Sequence, residues 1–462
     1  MRLRGIVVEG WTGLTILSGL VCGLAAVYVQ VGPAFALVGV LALLVGLYVP
    51  TISIAFVFAG IALDTTGLVG FEFAGLPMTL SKLSSVYAMG CYLVNSVMRG
   101  RPLVRLNYVL MGQIAIITTM VASVGVSGRP DMAYRFIAGV AMLTVLTMVI
   151  ERAADPEQMN YLMRFMAVQI IGLTIWNLMS GQDYVVFVSD QAWQERSSGA
   201  FADPNFWAAF LVVTCPLVIA SLVADEDSVV ARVLLVAVCI LYPLSVVQSY
   251  SRAGMLGMAL TVPGLAYLLR RHMQYLGLAV VVAIPLLPFV INLDALALRY
   301  STLLDPTVEA DLGYASLSER TELLRAGVQL IREHTITGIG VGMFSTYASY
   351  VTAGGVWKVA HNTYVTVWAE QGILGVFSHA FAFGAVAWSG YRAAFKAPTY
   401  YLRTVAKGWL LGMAGVALMA LTLNMMDFAV IYYCIGVGLV VESTTHRAPD
   451  AVGVRLGAEV RV

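Results

Sequence analysis

The chain has 462 residues, of which 60% are hydrophobic and 11% charged, with a formal net charge of +1. Soluble domains carry about 25% charged residues, so a single water-soluble core is excluded and lipid must solvate most of this surface. The near-zero net charge gives no basic footprint for nucleic acid.

The N-terminus, Met1-Arg2-Leu3-Arg4, runs into an apolar stretch with no small-x-small cleavage site, so it reads as a first membrane helix rather than a signal peptide. A window of about 20 apolar residues gives candidate spans at 11–30, 32–49, 51–63, 79–97, 108–125, 134–151, 163–180, 205–223, 232–249, 254–269, 274–292, 372–391, 405–424 and 428–441. The expected fold is therefore all-α, a polytopic bundle of about 12–14 transmembrane helices. It divides into an N-terminal bundle (1–292), one long hydrophilic loop (293–360), C-terminal helices (361–445) and a tail (446–462). The five cysteines, Cys22, Cys91, Cys215, Cys239 and Cys434, lie in apolar stretches without a C-x-x-C pair and read as small core residues.

Lys and Arg collect on cytoplasmic flanks. With the N-terminus inside, the inner connections hold Arg2, Arg4, Arg99, Arg101, Arg105, Arg152, Arg164, Arg232, Arg270, Arg271, Arg392, Lys396, Arg403 and Lys407. The short outer connections hold only Lys82, Arg129, Arg135, Arg196 and Arg252. Both termini are then cytoplasmic, and the loop from Leu293 to Ala360 faces outward, as does Ser180–Asn205.

Three outer features carry possible chemistry. Arg252, in Gln248-Ser-Tyr-Ser-Arg-Ala-Gly-Met-Leu256, runs against the charge trend. It is either a snorkelling side chain or an anion site with forked donors for phosphate oxygens. Asp311–His334 reads as an amphipathic helix with Ser316 and Glu319 at capping-box spacing. Leu323, Leu324, Gly327 and Ile331 form its apolar face, and Glu322, Arg325, Gln329, Arg332 and Glu333 its polar face. Arg320 projects from the apolar face, in a first turn where the helix dipole disfavours a cation, and so is expected to meet an anion. Arg325 reads as solvated and is a weaker candidate for substrate contact. Thr337-Gly-Ile-Gly-Val-Gly-Met-Phe344 lacks the order and lysine of a phosphate-binding loop and reads as a flexible turn.

The third feature is His361, which opens a helical stretch whose one face carries His361, Val365, Trp368 and Gly372. It is either an interfacial structural histidine or a general base, since histidine titrates near neutrality. His379 lies inside a span as a satisfied core residue, and His272 and His446 fall on the cytoplasmic side. Asp203-Pro-Asn205 is the nearest polar cluster, read as a turn and helix cap and as a weaker candidate for binding. No metal site is expected, for there is no H-E-x-x-H and no outer carboxylate pair.

Together these residues resemble the O-antigen ligase and polymerase family of bacterial inner membranes. Arg252-x-x-x-Leu256 is similar to one family motif. His361-Asn362 followed by nine residues and Gly372-x-x-Gly375 is similar to another. The stretch from Arg320 through Gly338 and Gly342 to Phe344 resembles the family's loop helix and glycine turn, and Gly199-Ala-Phe-Ala-Asp-Pro-Asn205 fits the same group. The resemblance covers 199–375. It implies a periplasmic enzyme that moves a glycan from undecaprenyl pyrophosphate to an acceptor hydroxyl, metal-independent, inverting and without cofactor. The acceptor is a lipid A core sugar in ligases and another lipid-linked repeat unit in polymerases, and the histidine motif favours the ligase. For that chemistry Arg252 and Arg320 are the natural pair to stabilise the leaving pyrophosphate and His361 is the candidate base, with Asn362, Asn205, Asp203 and Arg325 as weaker substrate contacts. The competing readings are a lipid-linked glycan flippase, against which the one-sided charges argue, and a non-catalytic scaffold.

Overall fold

A computed structural model describes residues 45–290, 316–352 and 358–446, less 64–69, 74–75, 99, 101, 181–182, 190–191, 198–200 and 202, together with 296–297 and 301. The expected span 11–30, most of 32–49, Cys22, the start of the long loop and the tail lie outside the described residues. So do Gly199, Ala200 and Ala202 of the first outer segment.

The described chain is a helix bundle. The first six helices are α1 Pro50–Leu63, α2 Leu80–Met98, α3 Tyr108–Ser123, α4 Pro130–Ala153, α5 Met159–Ser180 and α6 Pro204–Ala224. There follow α7 Val229–Gln248, α8 Arg252–Leu268 and α9 Met273–Val290. The loop region contributes α10 Ser316–Glu333 and α11 Phe344–Val351, and the chain closes with α12 Thr363–Lys396, α13 Tyr400–Met419 and α14 Ala429–Ser443. Among the described residues nine helical segments are long and apolar enough to cross a membrane, and Pro50–Leu63 is a shorter apolar helix. Two small antiparallel hairpins interrupt the helices: β1 Gly70–Phe73 with β2 Leu76–Thr79, and β3 Asp183–Ser189 with β4 Ala192–Ser197. The second lies within 180–205, the segment expected to face outward.

The helices start where side chains satisfy their first amides. Asn107 accepts from Leu110, Ser228 from Ala231 and Thr399 from Leu402, while Pro130 and Pro204 occupy first-turn positions that need no donor. Helix α6 is apolar all round and buried over 94% of its span window, so it is the axis of the bundle. Helix α13 lies against it through Gly408 and Gly412. A Cβ there would come within 2.4 Å of Pro216 O and 2.5 Å of Val213 O, so only glycine lets the two backbones approach this closely. Phe201, Trp207, Phe210 and Phe428 fill one end of this core, with Trp207 stacked on Phe210 at 5.5 Å. Cys91, Cys215 and Cys434 are buried free thiols, as expected of core residues.

Candidate functional site

Helices α6, α8 and α12 begin at one end of the bundle, and α3 and α13 finish there. The residues singled out in sequence gather at this end. Asp203 caps α6: its Oδ1 accepts from the Asn205 amide at 2.6 Å and from Asn205 Nδ2 at 2.8 Å. Asn205 Oδ1 in turn accepts from Ser251 Oγ at 2.8 Å. Ser251 caps α8, accepting from Gly254 N at 3.1 Å, so Arg252 is the first residue of a helix whose start is wired to Asp203. Tyr250, two residues earlier, has φ +48°, a left-handed conformation that costs a non-glycine residue about 1 kcal/mol or more.

His361 is the second non-glycine residue with positive φ, also +48°. It is not part of a helical face. Asn362 is the N-cap of α12, its Oδ1 accepting from Val365 N at 3.0 Å, so the helix begins one residue later and the shared face expected for His361 does not exist. The start of α12 is pinned to the α13–α14 connection. Thr363 N donates to Ala420 O at 2.8 Å and its hydroxyl to Leu423 O at 2.7 Å. Around His361 the geometry is electrostatic. Burial and the Arg320 guanidinium push its pKa below the ordinary histidine value, Lys358 adds to this, and Asp203 and Glu319 oppose it. The imidazole is thus biased toward its neutral form, with a lone pair free to accept a proton. The same interactions place Arg320 and Asp203 within electrostatic reach of His361, and through Asp203 and Asn205 connect it to the helix start at Arg252.

Arg320 is half-buried, one turn into α10. The buried stripe of this helix is Leu323, Ala326, Gly327 and Leu330, while Leu324, placed on the apolar face in sequence, is 42% exposed. Arg320 lies three residues before Leu323, on the side that meets the bundle. The Glu319 carboxylate pairs with Lys358 Nζ at 2.8 Å, and the Ser316 side chain, the other half of the expected capping box, lies outside the described residues. Arg325 is exposed.

Sequence reasoning missed Glu370. Its side chain is 3% exposed and accepts from Phe344 N, the first residue of α11, at 3.0 Å and from the Gly342 amide. The glycine turn read as flexible is instead fixed against it. Ile339 N and Gly340 N donate to Ala369 O and Glu370 O, and Ile373 N to Thr335 O, each at 2.9 Å. Gly338, Gly340 and Gly342 all have positive φ, and their loop cradles the protein's own carboxyl group rather than a phosphate. Helix α12 breaks opposite this turn, at Gly372 (φ +64°, ψ −162°). The expected span at 372–391 is thus preceded by a separate segment, Thr363–Gln371, that belongs to the site. The spacing Glu370-Gln-Gly372 next to a glycine-rich stretch was the only local signal. Gln248 Oε1, Trp368 Nε1 and Asn424 Oδ1 are buried here without a hydrogen-bond partner. They too were passed over, because polar residues at helix ends are common. His379 is satisfied by Gly375 O at 2.9 Å, as expected.

Among the described residues no group of three or more His, Cys, Asp or Glu side chains is gathered to hold a metal ion. No curated protein matches the chain. Residues 235–380, just under a third of its length, match the family model described as O-antigen ligase. That stretch contains Arg252, Arg320, His361, Glu370 and Gly372. Residues 235–380 of this polytopic helix bundle, which has nine candidate membrane spans among the described residues, are thus similar to the O-antigen ligase family.

Proposed function

We propose that this chain transfers a glycan from undecaprenyl pyrophosphate to an acceptor hydroxyl at the periplasmic face of a bacterial inner membrane, with inversion and without a metal ion, and that the acceptor is a sugar of the lipid A core. The observation that carries the reading is His361, held in left-handed backbone, biased to its neutral form by burial and Arg320, and steadied by Asp203. In the proposed step His361 takes the acceptor proton as the acceptor oxygen bonds the anomeric carbon. The bond from that carbon to the pyrophosphate breaks, and the electron pair leaves on the lipid-linked pyrophosphate. Arg252 and Arg320 take up the developing charge.

Arg252 is the first residue of α8, where the helix dipole makes a cation unfavourable by about 0.3–1 kcal/mol, and Arg320 stands one turn into α10. A docked pyrophosphate reverses the sign at Arg252, because guanidinium and helix end then both face an anion. Asn205, Asp203, Asn362 and Arg325 are assigned lesser parts in substrate contact. In this reading the N-terminal bundle and the C-terminal helices frame the site, with α10 and α11 of the outer loop beside it.

The test is transfer by purified protein from an undecaprenyl-pyrophosphate glycan. His361→Ala is expected to lose about 10²–10⁴-fold in rate, and Arg252→Ala and Arg320→Ala to lose activity at unchanged membrane levels. Full activity in all three variants refutes the mechanism. Product formed only on a second lipid-linked repeat unit, and never on lipid A core, makes the protein a polymerase. Movement of the glycan between leaflets without a new glycosidic bond makes it a flippase.

A further inference from the structure

One buried carboxyl at the site has no part in the reaction above. Glu370 lies in the short segment Thr363–Gln371, with His361 just before its start, and its carboxyl reaches across to the turn that ends the helix bearing Arg320. We propose that Glu370 is a positioning residue that clamps the glycine turn to this segment and so sets the placement of Arg320 relative to His361; this rests on the reading of the site given above.

The two arms of the clamp are rigid. Helix α10 passes directly into the turn, for His334 N bonds Leu330 O and Gly338 N bonds His334 O, both at 2.9 Å. Arg320 therefore stands at the far end of a lever about 20 Å long from its hinge near Glu333. A tilt of about 5° at the hinge moves the Arg320 end by about 2 Å, and misplacement by about 1 Å can cost about 10²-fold in rate. The other arm, from Glu370 back to His361, is fixed by Thr363 to the rest of the bundle.

Apolar contacts hold α10 down, through Leu323 and Leu330 against Phe344 and Ala369. Such contacts are non-directional and do not define the tilt. Directional bonds tie the turn to Ala369–Ile373 and, from Val341 N, to Ser123 Oγ at 3.2 Å, while Glu319 pairs with Lys358 near the start of α10; among the described bonds between the turn and Ala369–Ile373, Glu370 supplies the only side chain. An apolar residue there would fill the same space but leave the Gly342 and Phe344 amides buried without a partner.

The experiment uses the full chain. Spin labels are placed on Val328→Cys, exposed on α10, and Leu421→Cys, exposed on the connection that binds Thr363, in a background without native cysteines. Glutamine in Glu370→Gln keeps one acceptor oxygen and puts an NH2 donor in place of the other. The expected result is a broadened or shifted distance distribution, with kcat down about 10–100-fold and KM for the lipid-linked donor close to wild type. Gly342→Ala provides a second perturbation. Its φ is +78° and no atom lies within 4 Å of an added Cβ, so it strains the turn without a clash and is expected to act in the same direction. Unchanged distance distributions in both variants overturn the clamp. A broadened distribution with wild-type kcat overturns its bearing on the reaction. A wild-type protein that transfers no glycan would fail the functional reading alone, because the distance measurement still decides the clamp.

Discussion

Gly372→Ala probes the helix break on which the site is built. The residue has φ +64°, and a Cβ added there would stand 2.1 Å from Ile336 O, 2.5 Å from Ile336 C and 2.8 Å from Gly338 N. All three are backbone atoms, so no side chain can turn aside, and the turn must retreat from the break. The left-handed conformation costs alanine about 1–2 kcal/mol. Retreat also breaks the bonds from Ile339, Gly340 and Ile373 across the gap, at about 1 kcal/mol each. The expected local cost is therefore about 4–5 kcal/mol, enough to detach the turn and the helix that carries Arg320. Gly384→Ala is the control, in the same helix, exposed, with nothing within 4 Å of its Cβ. There alanine gains about 0.8–1 kcal/mol of helix propensity. Thermal unfolding of both purified variants in detergent, with backbone amide exchange across 335–344, reads the difference. We expect Gly372→Ala to lose protection in that segment together with activity, and Gly384→Ala to match or exceed wild type. Equal protection of 335–344 in the two variants would refute the reasoning.

The charges around His361 predict opposite movements of one titration. Arg320 lowers its pKa and Asp203 raises it, so the acid limb of kcat/KM should move to higher pH in Arg320→Gln and to lower pH in Asp203→Asn; shifts of the same sign would remove His361 as the titrating base. Ser251→Ala deletes both the cap on Gly254 N and the bond to Asn205. A lost cap costs about 0.5–2 kcal/mol, so a lower melting temperature and weaker donor binding at Arg252 are expected, and a variant with wild-type melting and donor KM would show that the cap does not hold the arginine.

The membrane class, most spans and the unusual arginines and histidine were legible in sequence because each is a local property. Composition sets the solvent, a window of apolar residues sets a span, and a charge in an apolar stretch stands out by itself. Local grammar misjudged the boundary at His361, where Asn362 rather than the histidine starts the helix. It also misjudged the apolar face of α10, where Leu324 is exposed and Ala326 and Leu330 are buried. Packing against α11 and the first segment of α12 rotates that face, and periodicity carries no information about the partner. The role of the glycine turn was decided only in three dimensions. Its meaning depends on a carboxyl group 26 residues from Phe344. The same holds for the link from Asp203 through Asn205 to Ser251, which spans 46 residues between Asn205 and Ser251, and for the field of Asp203 at His361. By itself, then, the sequence determined that this is a membrane helix bundle with candidate charges on one side. The tertiary structure decided which of those charges share a site, because the hydrogen bonds and electrostatic interactions that join them run between segments far apart in the chain.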